Sequence, residues 1–290
     1  AALRVVQGLC MATAFSLSLA AISASGSASA TATAVSAYIT GNVASNMLGR
    51  LMSASLAHEI GVGASFYIFA LLNLVGAALA LNVLARPARD PAEGPGQHRG
   101  GLAQTLADRR LRASLIVGFC ILFAFISTFS YVNFVLVAPP LSLGMMSVGL
   151  VYLVFLPSIL TTPLAGALVS RIGTRKALLI GLGTALLGLP FLLAPSLPAV
   201  LAGLALFSIG TFLAQATTTG FVGRAARGDG GSASGLYLAA YFLGGIVGSA
   251  ILGRVFDLSG WTPTVAGVAA ALVVAAYFST RLSAPDPGLR

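Results

Sequence analysis

The scarcity of charged side chains limits the possible folds of this chain more than any other feature. Only 8% of its 290 residues are Asp, Glu, Lys or Arg, whereas 57% are hydrophobic and the mean hydropathy is +0.96. A soluble domain carries about a quarter charged residues, so this chain cannot cover a surface that faces water. The bilayer is therefore its expected solvent, and an all-α membrane protein is the expected fold class.

The apolar stretches are long enough to be membrane helices, which need about 20 residues each. Nine stretches qualify: Leu3–Ser23, Ala32–Ala54, Gly63–Leu84, Leu111–Phe134, Val148–Leu168, Ala177–Ala194, Leu197–Thr218, Ser234–Phe256 and Pro263–Thr280. One gap between them, Ala85–Arg110, is long and hydrophilic. Its Pro, Gly and charged residues predict a flexible linker.

Basic residues concentrate in alternate gaps: in the linker, at Arg171–Lys176, at Arg224 and Arg227, and in the tail after Arg281. The positive-inside rule makes these gaps cytoplasmic. We therefore expect a multi-pass protein of a bacterial inner or plasma membrane with a cytoplasmic C-terminus. The net charge of +9 has the same origin, and nucleic acid is not an expected partner because no basic helix or RNA-binding aromatic motif occurs.

Enzyme chemistry finds little support in the sequence. No Asp or Glu lies in the middle of a span, which argues against a membrane transferase that holds Mg²⁺ between carboxylates. Neither the two His nor the two Cys form a metal-ligand spacing, and no P-loop occurs. We expect no catalytic residue, no cofactor and no metal. For a proton antiporter, either the proton-carrying residue lies in N-terminal helices that precede these nine spans, or coupling works otherwise.

A short internal repeat suggests two related halves. Leu48-Gly49-Arg50 ends the second span and Leu252-Gly253-Arg254 ends the eighth, an offset of 204 residues. Two such units need about 400 residues, and three spans precede the linker whereas six follow it. We therefore predict a remainder of an N-terminal bundle in residues 1–85, a cytoplasmic linker in 86–110, a six-helix bundle in 111–282 and a tail in 283–290.

The sequence GALVSRIGTRK, residues 166–176, lies between the fifth and sixth spans. It resembles the G-x-L-x-D-R-x-G-R-R/K loop of the major facilitator superfamily, although a serine replaces the aspartate. The resemblance implies a cytoplasmic gate loop. Gly166 and Gly173 would allow close turns, and Arg171, Arg175 and Lys176 would engage helix C-termini or a carboxylate. The alternative is that these charges only set topology.

Arg4-Val-Val-Gln7-Gly8 begins the first span and resembles the R-x-x-Q-G signature of the fourth helix in proton-coupled members of that family. The resemblance implies that Arg4, Gln7 and Gly8 take part in proton coupling and gating, since an arginine inside the bilayer normally faces a cavity or a partner. The alternative is an interfacial arginine whose side chain reaches the headgroups.

Asn42 and Asn46 share one face of the second span, which resembles the Gly-rich fifth helix of efflux members but lacks its Gly-Pro pair. They either line a cavity or bond to neighbouring helices. Tyr131-Val-Asn133-Phe and the run Leu156–Pro163 resemble drug and sugar efflux members. Asn133 either lines the cavity and binds a polar substrate group, or anchors its helix at the interface. Pro157 and Pro163 would kink the fifth span. Further candidates are the cavity residues Thr161, Thr162 and Gln215 and the helix-packing glycines Gly41, Gly49, Gly244, Gly248 and Gly253.

The resemblance covers the whole chain as helices four to twelve of twelve: a major facilitator fold with two pseudo-symmetric bundles, the first incomplete. It is nearest the arabinose-type drug and sugar efflux branch, a group of proton antiporters. It implies a monomeric secondary transporter that exports a small organic molecule in exchange for protons by alternating access. Because the sequence starts Ala-Ala-Leu-Arg, we expect an upstream cut and no transport by these 290 residues alone. The alternatives are a non-transporting membrane protein or inactive fragment, and a membrane-embedded enzyme.

Overall fold

The computed structural model describes residues 10, 13–15, 17–18, 28–84, 106–225 and 230–282. Within these residues every regular element is a helix, which confirms the predicted all-α class. The helices are α1 Ala28–Glu59, α2 Gly61–Leu84, α3 Arg109–Val137, α4 Met145–Val151, α5 Leu156–Thr161, α6 Leu164–Ile172, α7 Thr174–Gly188, α8 Leu197–Ala225, α9 Gly230–Ser259 and α10 Trp261–Ser279. Single 3-10 segments, Tyr152–Phe155 and Pro190–Leu193, precede α5 and follow α7.

Six of the described helices are long and apolar enough to cross a membrane: Gly61–Asn82, Arg109–Val137, Thr174–Leu193, Leu197–Ala225, Ala233–Ser259 and Trp261–Ser279. They coincide with the predicted third, fourth, sixth, seventh, eighth and ninth spans. The predicted second span is α1, a helix of 32 residues that contains more Ser, Thr and Asn. The predicted first span lies mainly outside the described residues.

The predicted fifth span is bent. Its two pieces, Ser147–Thr161 and Leu164–Ile172, meet at 49° and together make a seventh candidate crossing. Pro163 lies at the break, where it has no N–H to donate and its ring clashes with the preceding turn. Pro157 lies in the first turn of α5, which directly follows the 3-10 segment. The kink expected from these prolines is therefore present.

Helix α3 is the centre of the packed region, because it contacts α8, α9 and α10. Its most apolar window is 61% buried, and Phe129 is fully buried within it. Helix α2 is the opposite case. It packs mainly on α1, and its window is 6% buried among the described residues. The core therefore lies around α3, away from α2.

Glycines allow α9 to lie against the backbone of α3. A Cβ on Gly248 would be 2.6 Å from the carbonyl oxygen of Phe123, and one on Gly244 would overlap that of Phe119. Gly253 faces the ring of Tyr131, whose hydroxyl donates to Ser249 O at 2.6 Å. Around Gly41 and Gly49, by contrast, no described atom lies within 4 Å of a built Cβ. Their proposed packing role stays a prediction.

A second close contact, between α7 and α8, was not foreseen from the sequence. A Cβ on Gly188 would lie 2.6 Å from Gly203 O, and one on Gly203 would lie 2.7 Å from Gly188 O. Gly181 and Gly210 approach each other in the same way. Small residues at both surfaces let two helix backbones meet, as is common in membranes.

The same turn joins α1 to α2 and α9 to α10. Gly61 has φ +81° and Gly260 has φ +83°, a region that favours glycine. Ser65 Oγ donates to Gly61 O at 2.7 Å, and Thr264 Oγ1 donates to Gly260 O at 2.9 Å. The two turns lie 199 residues apart, whereas the Leu-Gly-Arg match gave 204. Aligning the two turns therefore gives an offset five residues smaller than that of the Leu-Gly-Arg match, whose offset stays a prediction.

Candidate functional site

A cavity of about 390 Å³ lies midway along α1, α3, α8 and α9, and we call it the central cavity. Aliphatic and aromatic side chains form most of its wall, with a few amides and hydroxyls. Its lining residues are Phe15, Asn42, Asn46, Leu122, Phe125, Ile126, Phe212, Gln215, Tyr241, Phe242, Gly245, Ile246 and Ser249. An apolar wall with few polar groups is the usual composition of a site for a small organic molecule.

Three amides, all proposed as cavity residues from the sequence, lie in this wall. Asn46 Nδ2 donates to Asn42 Oδ1 at 3.0 Å and to Asn42 O at 3.0 Å, so the two asparagines hold each other on one helix. Gln215 lies on α8 and is 6% exposed. An amide offers both donors and acceptors. Together they suit a neutral polar group of a ligand.

The central cavity has matching faces on α1 and α9. With the offset of 199 residues given by the two turns, Asn42 corresponds to Tyr241 and Asn46 to Gly245, and all four line the cavity. The next position, Arg50, corresponds to Ser249, which also lines it. Faces of α1 and α9 that match at this offset thus both form part of the wall.

A second cavity, of about 720 Å³, lies where α1 and α3 end, and we call it the end cavity. Its lining residues are Arg50, Ser53, Ala57, Asn133, Phe134, Val137, Ala138, Val148, Gly149 and Tyr152. On α1, positions 42, 46, 50, 53 and 57 follow one another at spacings of three or four residues, which puts them on one face. The two cavities therefore share a single face of α1.

Arg50, Asn133 and Tyr152 form a polar cluster in the end cavity. Arg50 Nη1 donates to Tyr152 Oη at 3.2 Å, and Arg50 Cζ lies 4.7 Å from the centre of that ring. Asn133 Nδ2 donates to Tyr152 Oη at 2.9 Å and to Phe129 O at 2.9 Å. The hydroxyl of Tyr152 can donate either to Asn133 Oδ1 at 3.0 Å or to Phe129 O at 3.4 Å. The cluster joins α1 to α3 and to the segment before α5.

An aromatic barrier, which we define as Phe125, Phe129, Tyr152, Phe155 and Phe212, lies between the two cavities. Ring centres are 4.8 Å apart for Phe125 and Phe129, 4.8 Å for Phe129 and Phe155, and 5.1 Å for Phe125 and Phe212. Phe125 and Phe212 line the central cavity, whereas Tyr152 lines the end cavity. Phe129 and Phe155 are fully buried between them.

The proposed gate loop forms the turn between α6 and α7. Gly173, with φ +82°, ends α6, and its N–H donates to Val169 O at 2.8 Å. Arg171, Arg175 and Lys176 are exposed. The serine in the aspartate position, Ser170, donates to Ala167 O at 2.8 Å within its own helix. The local geometry is thus that of a tight helix-to-helix turn with three solvent-facing cations.

The remaining candidates lie apart from both cavities or outside the described residues. Arg4, Gln7 and Gly8 belong to the latter group. Thr162 Oγ1 donates to Ser158 O at 2.6 Å next to the bend, and Thr161 Oγ1 is buried without a hydrogen-bond partner among the described residues. Neither threonine lines the central or the end cavity.

The described carboxylates lie at helix ends. Glu59 is the last residue of α1, Asp108 caps the N-terminus of α3, and Asp257 lies in the last turn of α9. No cluster of three or more His, Cys, Asp or Glu that could hold a metal occurs in the described part of the chain.

Tyr152 and the aromatic barrier were missed by the sequence reasoning, which treated Arg50 only as a repeat and topology marker. One signal was available, because Arg50 follows Asn42 and Asn46 at the same spacing of four residues. A polar stripe on an otherwise apolar helix marks a face turned away from lipid.

Comparisons with known proteins agree with this architecture. A family model described as the Major Facilitator Superfamily matches residues 1–156 and, a second time, residues 138–289. The uncharacterized MFS-type transporter YybF of Bacillus subtilis (strain 168) is 26% identical over 284 residues, which are 97% of this chain and 70% of YybF. The inner membrane transport protein YnfM of Escherichia coli (strain K12) is 28% identical over 282 residues, 97% of this chain and 68% of YnfM.

The fold is also found among solved structures. The transporter FucP in the outward conformation superposes with a TM-score of 0.69 over 91% of this chain and 71% of that chain, at 16% identity. A variant of the E. coli fucose:proton symporter FucP gives 0.61 over 74% of this chain and 54% of that chain, at 19% identity. The family match spans almost the whole sequence, and the helices have the arrangement of a solved member. The chain belongs to the major facilitator superfamily of multi-pass membrane transporters.

Proposed function

We propose that the protein is a secondary active transporter that exports a small organic molecule of the drug or sugar class in exchange for protons. The observation that carries this proposal is the central cavity. It lies midway along four long helices and combines an apolar wall with three amides. A site at that depth, between helices of two related halves, is where transporters of this architecture bind substrate.

Alternating access follows from the same arrangement. The aromatic barrier closes the central cavity toward the end cavity. Rocking of the helices that carry the barrier would open one side as the other closes. The proposed gate loop, Gly166 to Lys176, would set the state of the opposite end. The halves are residues 1–85 and 111–282, joined by 86–110, and the protein works as a monomer in the bacterial inner membrane with its C-terminus in the cytoplasm.

Proton coupling needs a titratable group in or near the path. The described carboxylates lie at helix ends, so we propose that the coupling group lies outside the described residues. The Arg4-Gln7-Gly8 signature, which also lies outside them, is the sequence feature that supports coupling.

The test is flux into proteoliposomes that contain the full-length protein and a pH indicator inside. Sugars and amphipathic drugs are added one at a time under an imposed pH gradient. A substrate is expected to cause proton movement that depends on the protein. Absence of proton-linked flux for every compound would remove the transport proposal.

A matched pair of variants tests whether the transported substrate binds in the central cavity. Asn46→Ala removes an amide from the central cavity, and we expect it to lower substrate affinity about tenfold, the effect of one lost hydrogen bond in a buried site. Asn73→Ala is the control, since Asn73 is exposed on α2 and donates only within its own helix, to Phe69 O at 2.7 Å. Equal effects of the two changes would contradict a substrate site in the central cavity.

A further inference from the structure

Arg50 is a cation held inside the described fold by neutral groups. Its hydrogen bond and its ring contact among the described residues are both with Tyr152. The side chain is half-buried in the wall of the end cavity. A guanidinium has five N–H donors, so most of its capacity remains for a ligand.

The carboxylates of the described residues are too far away or face elsewhere. Glu59 follows nine residues later on the same helix, about 13 Å along its axis at 1.5 Å per residue. Asp108 caps the opposite end of α3. Asp257 is on α9, which meets α3 on the face of Tyr131. An arginine at membrane depth is costly unless it has an anionic partner or water. Among the described residues, the positive charge in the end cavity therefore has no carboxylate to match it.

The neighbours of Arg50 hold it in place. Tyr152 presents its ring to the guanidinium at 4.7 Å, and Asn133 fixes the hydroxyl of that tyrosine by hydrogen bonds at 2.9 and 3.0 Å. Asn133 is itself bonded to the backbone of α3 at Phe129 O. A planar guanidinium with a defined orientation suits the two oxygens of a carboxylate or a phosphate.

Apart from Ser53, the side chains in the rest of the end-cavity wall are apolar. Phe134, Val137 and Val148 form the wall beside the cluster. A ligand that fits both parts has one oxyanion group and a compact hydrophobic body. The volume of about 720 Å³ can hold a small aromatic or branched acid.

We propose that the end cavity binds the oxyanion group of an amphipathic organic anion, with Arg50 as the ion-pairing residue and with Tyr152 and Asn133 as positioning residues. This rests on the proposed transport function and names its substrate class, because the end cavity and the central cavity share one face of α1. The oxyanion can belong to a soluble organic acid or to the headgroup of an anionic lipid.

Binding is measured without a gradient, so that a failure of transport cannot hide it. The full-length protein is placed in nanodiscs of phosphatidylcholine, and benzoate is compared with its neutral analogue benzamide by saturation-transfer NMR. We expect benzamide to bind at least about tenfold more weakly. Absence of benzoate binding, or equal affinity for the two probes, would overturn the inference while leaving the transport proposal in place.

Variants of Arg50 and Tyr152 test whether Arg50 provides the charge that binds the oxyanion. Arg50→Gln is expected to weaken benzoate binding about tenfold or more, and Arg50→Lys less, because it keeps the charge but loses the planar fork. Tyr152→Phe keeps the ring and is expected to weaken binding about threefold with benzamide affinity unchanged. Arg254→Gln is the control: this exposed arginine ends the other Leu-Gly-Arg sequence and lines neither cavity. Undiminished benzoate binding in both folded Arg50 variants would contradict the proposed site.

A last comparison separates the two sources of the oxyanion. Phosphatidylglycerol is added to the nanodiscs, and benzoate binding is measured again for the unmodified protein. Competition by phosphatidylglycerol that weakens in Arg50→Lys identifies a lipid headgroup in the site. Unchanged benzoate affinity identifies a soluble acid as the occupant. Both results support an oxyanion site at Arg50.

Discussion

The helix pairs α1–α2 and α9–α10 have the same turn and very different surroundings. Each turn has a glycine near φ +80° and a hydroxyl that donates back to that glycine four residues later. Yet α9 lies against the backbone of α3, whereas no described atom approaches the corresponding surface of α1 at Gly49. The turn is thus set by local sequence, while the packing depends on what the rest of the chain brings to each pair.

The largest effect is expected where the two pairs differ most. Gly248 and Gly49 are equivalent by the 199-residue offset, but only Gly248 has a backbone oxygen 2.6 Å from a built Cβ. We expect Gly248→Val to destabilise the protein by about 3 kcal/mol through overpacking. The same change at Gly49 should cost well under 1 kcal/mol. Thermal denaturation midpoints in one detergent would measure both.

Gly248→Ala covers the case in which the valine variant does not fold. Alanine adds a single methyl group, and we expect a loss of about 1 to 2 kcal/mol from the same collision with Phe123 O. Equal midpoints for the Gly49 and Gly248 variants would show that the two helices are packed alike, and the comparison would fail.

A middle-sized effect is expected where the two pairs agree. Gly61→Ala and Gly260→Ala should each cost about 1 to 2 kcal/mol, because a Cβ is unfavourable at positive φ. No described atom lies within 4 Å of either built Cβ, so the conformation alone causes the loss. Denaturation midpoints that fall equally would support equivalent turns. A much larger loss at Gly260 would mean that packing, not the turn, is responsible.

The smallest effect concerns the hydroxyls that close the turns. Ser65→Ala and Thr264→Val each remove one hydrogen bond to a glycine carbonyl, at 2.7 and 2.9 Å respectively. We expect losses of about 0.5 to 1 kcal/mol, similar in the two pairs. Thr184→Ala is a control, since Thr184 is half-buried, lies in neither turn and donates to Ile180 O within its own helix. Hydrogen exchange at the turns would detect local opening. Faster exchange in the control alone would contradict the assignment.

The positions of the helices could be predicted, because about 20 apolar residues in a row have few other structures in a bilayer. The bend followed from Pro163 for a similarly local reason. The rotation of each helix about its own axis was harder to predict. A helix that is apolar all round gives no stripe that identifies its inner face. The amides Asn42, Asn46 and Gln215 broke this uniformity, and all three line the central cavity.

Contacts distant in sequence could not be predicted from one chain. Tyr152 meets Arg50 across 102 residues, and nothing near either residue specifies the other. The register of the repeat is hard to predict for a related reason, because three matching residues carry little information. The Leu-Gly-Arg match gives an offset of 204 residues, whereas the shared backbone conformation of Gly61 and Gly260 gives 199.

The aromatic barrier has a consequence for the energetics of the membrane. A file of water molecules passes protons readily, so two cavities joined by water would short-circuit the gradient of an energised cell. Each elementary charge that leaks across 100 mV dissipates about 2.3 kcal/mol. Phe129 and Phe155 have no solvent-accessible surface, and we expect their rings to interrupt such a file between the cavities. The rings would then insulate the gradient as well as pack the helices.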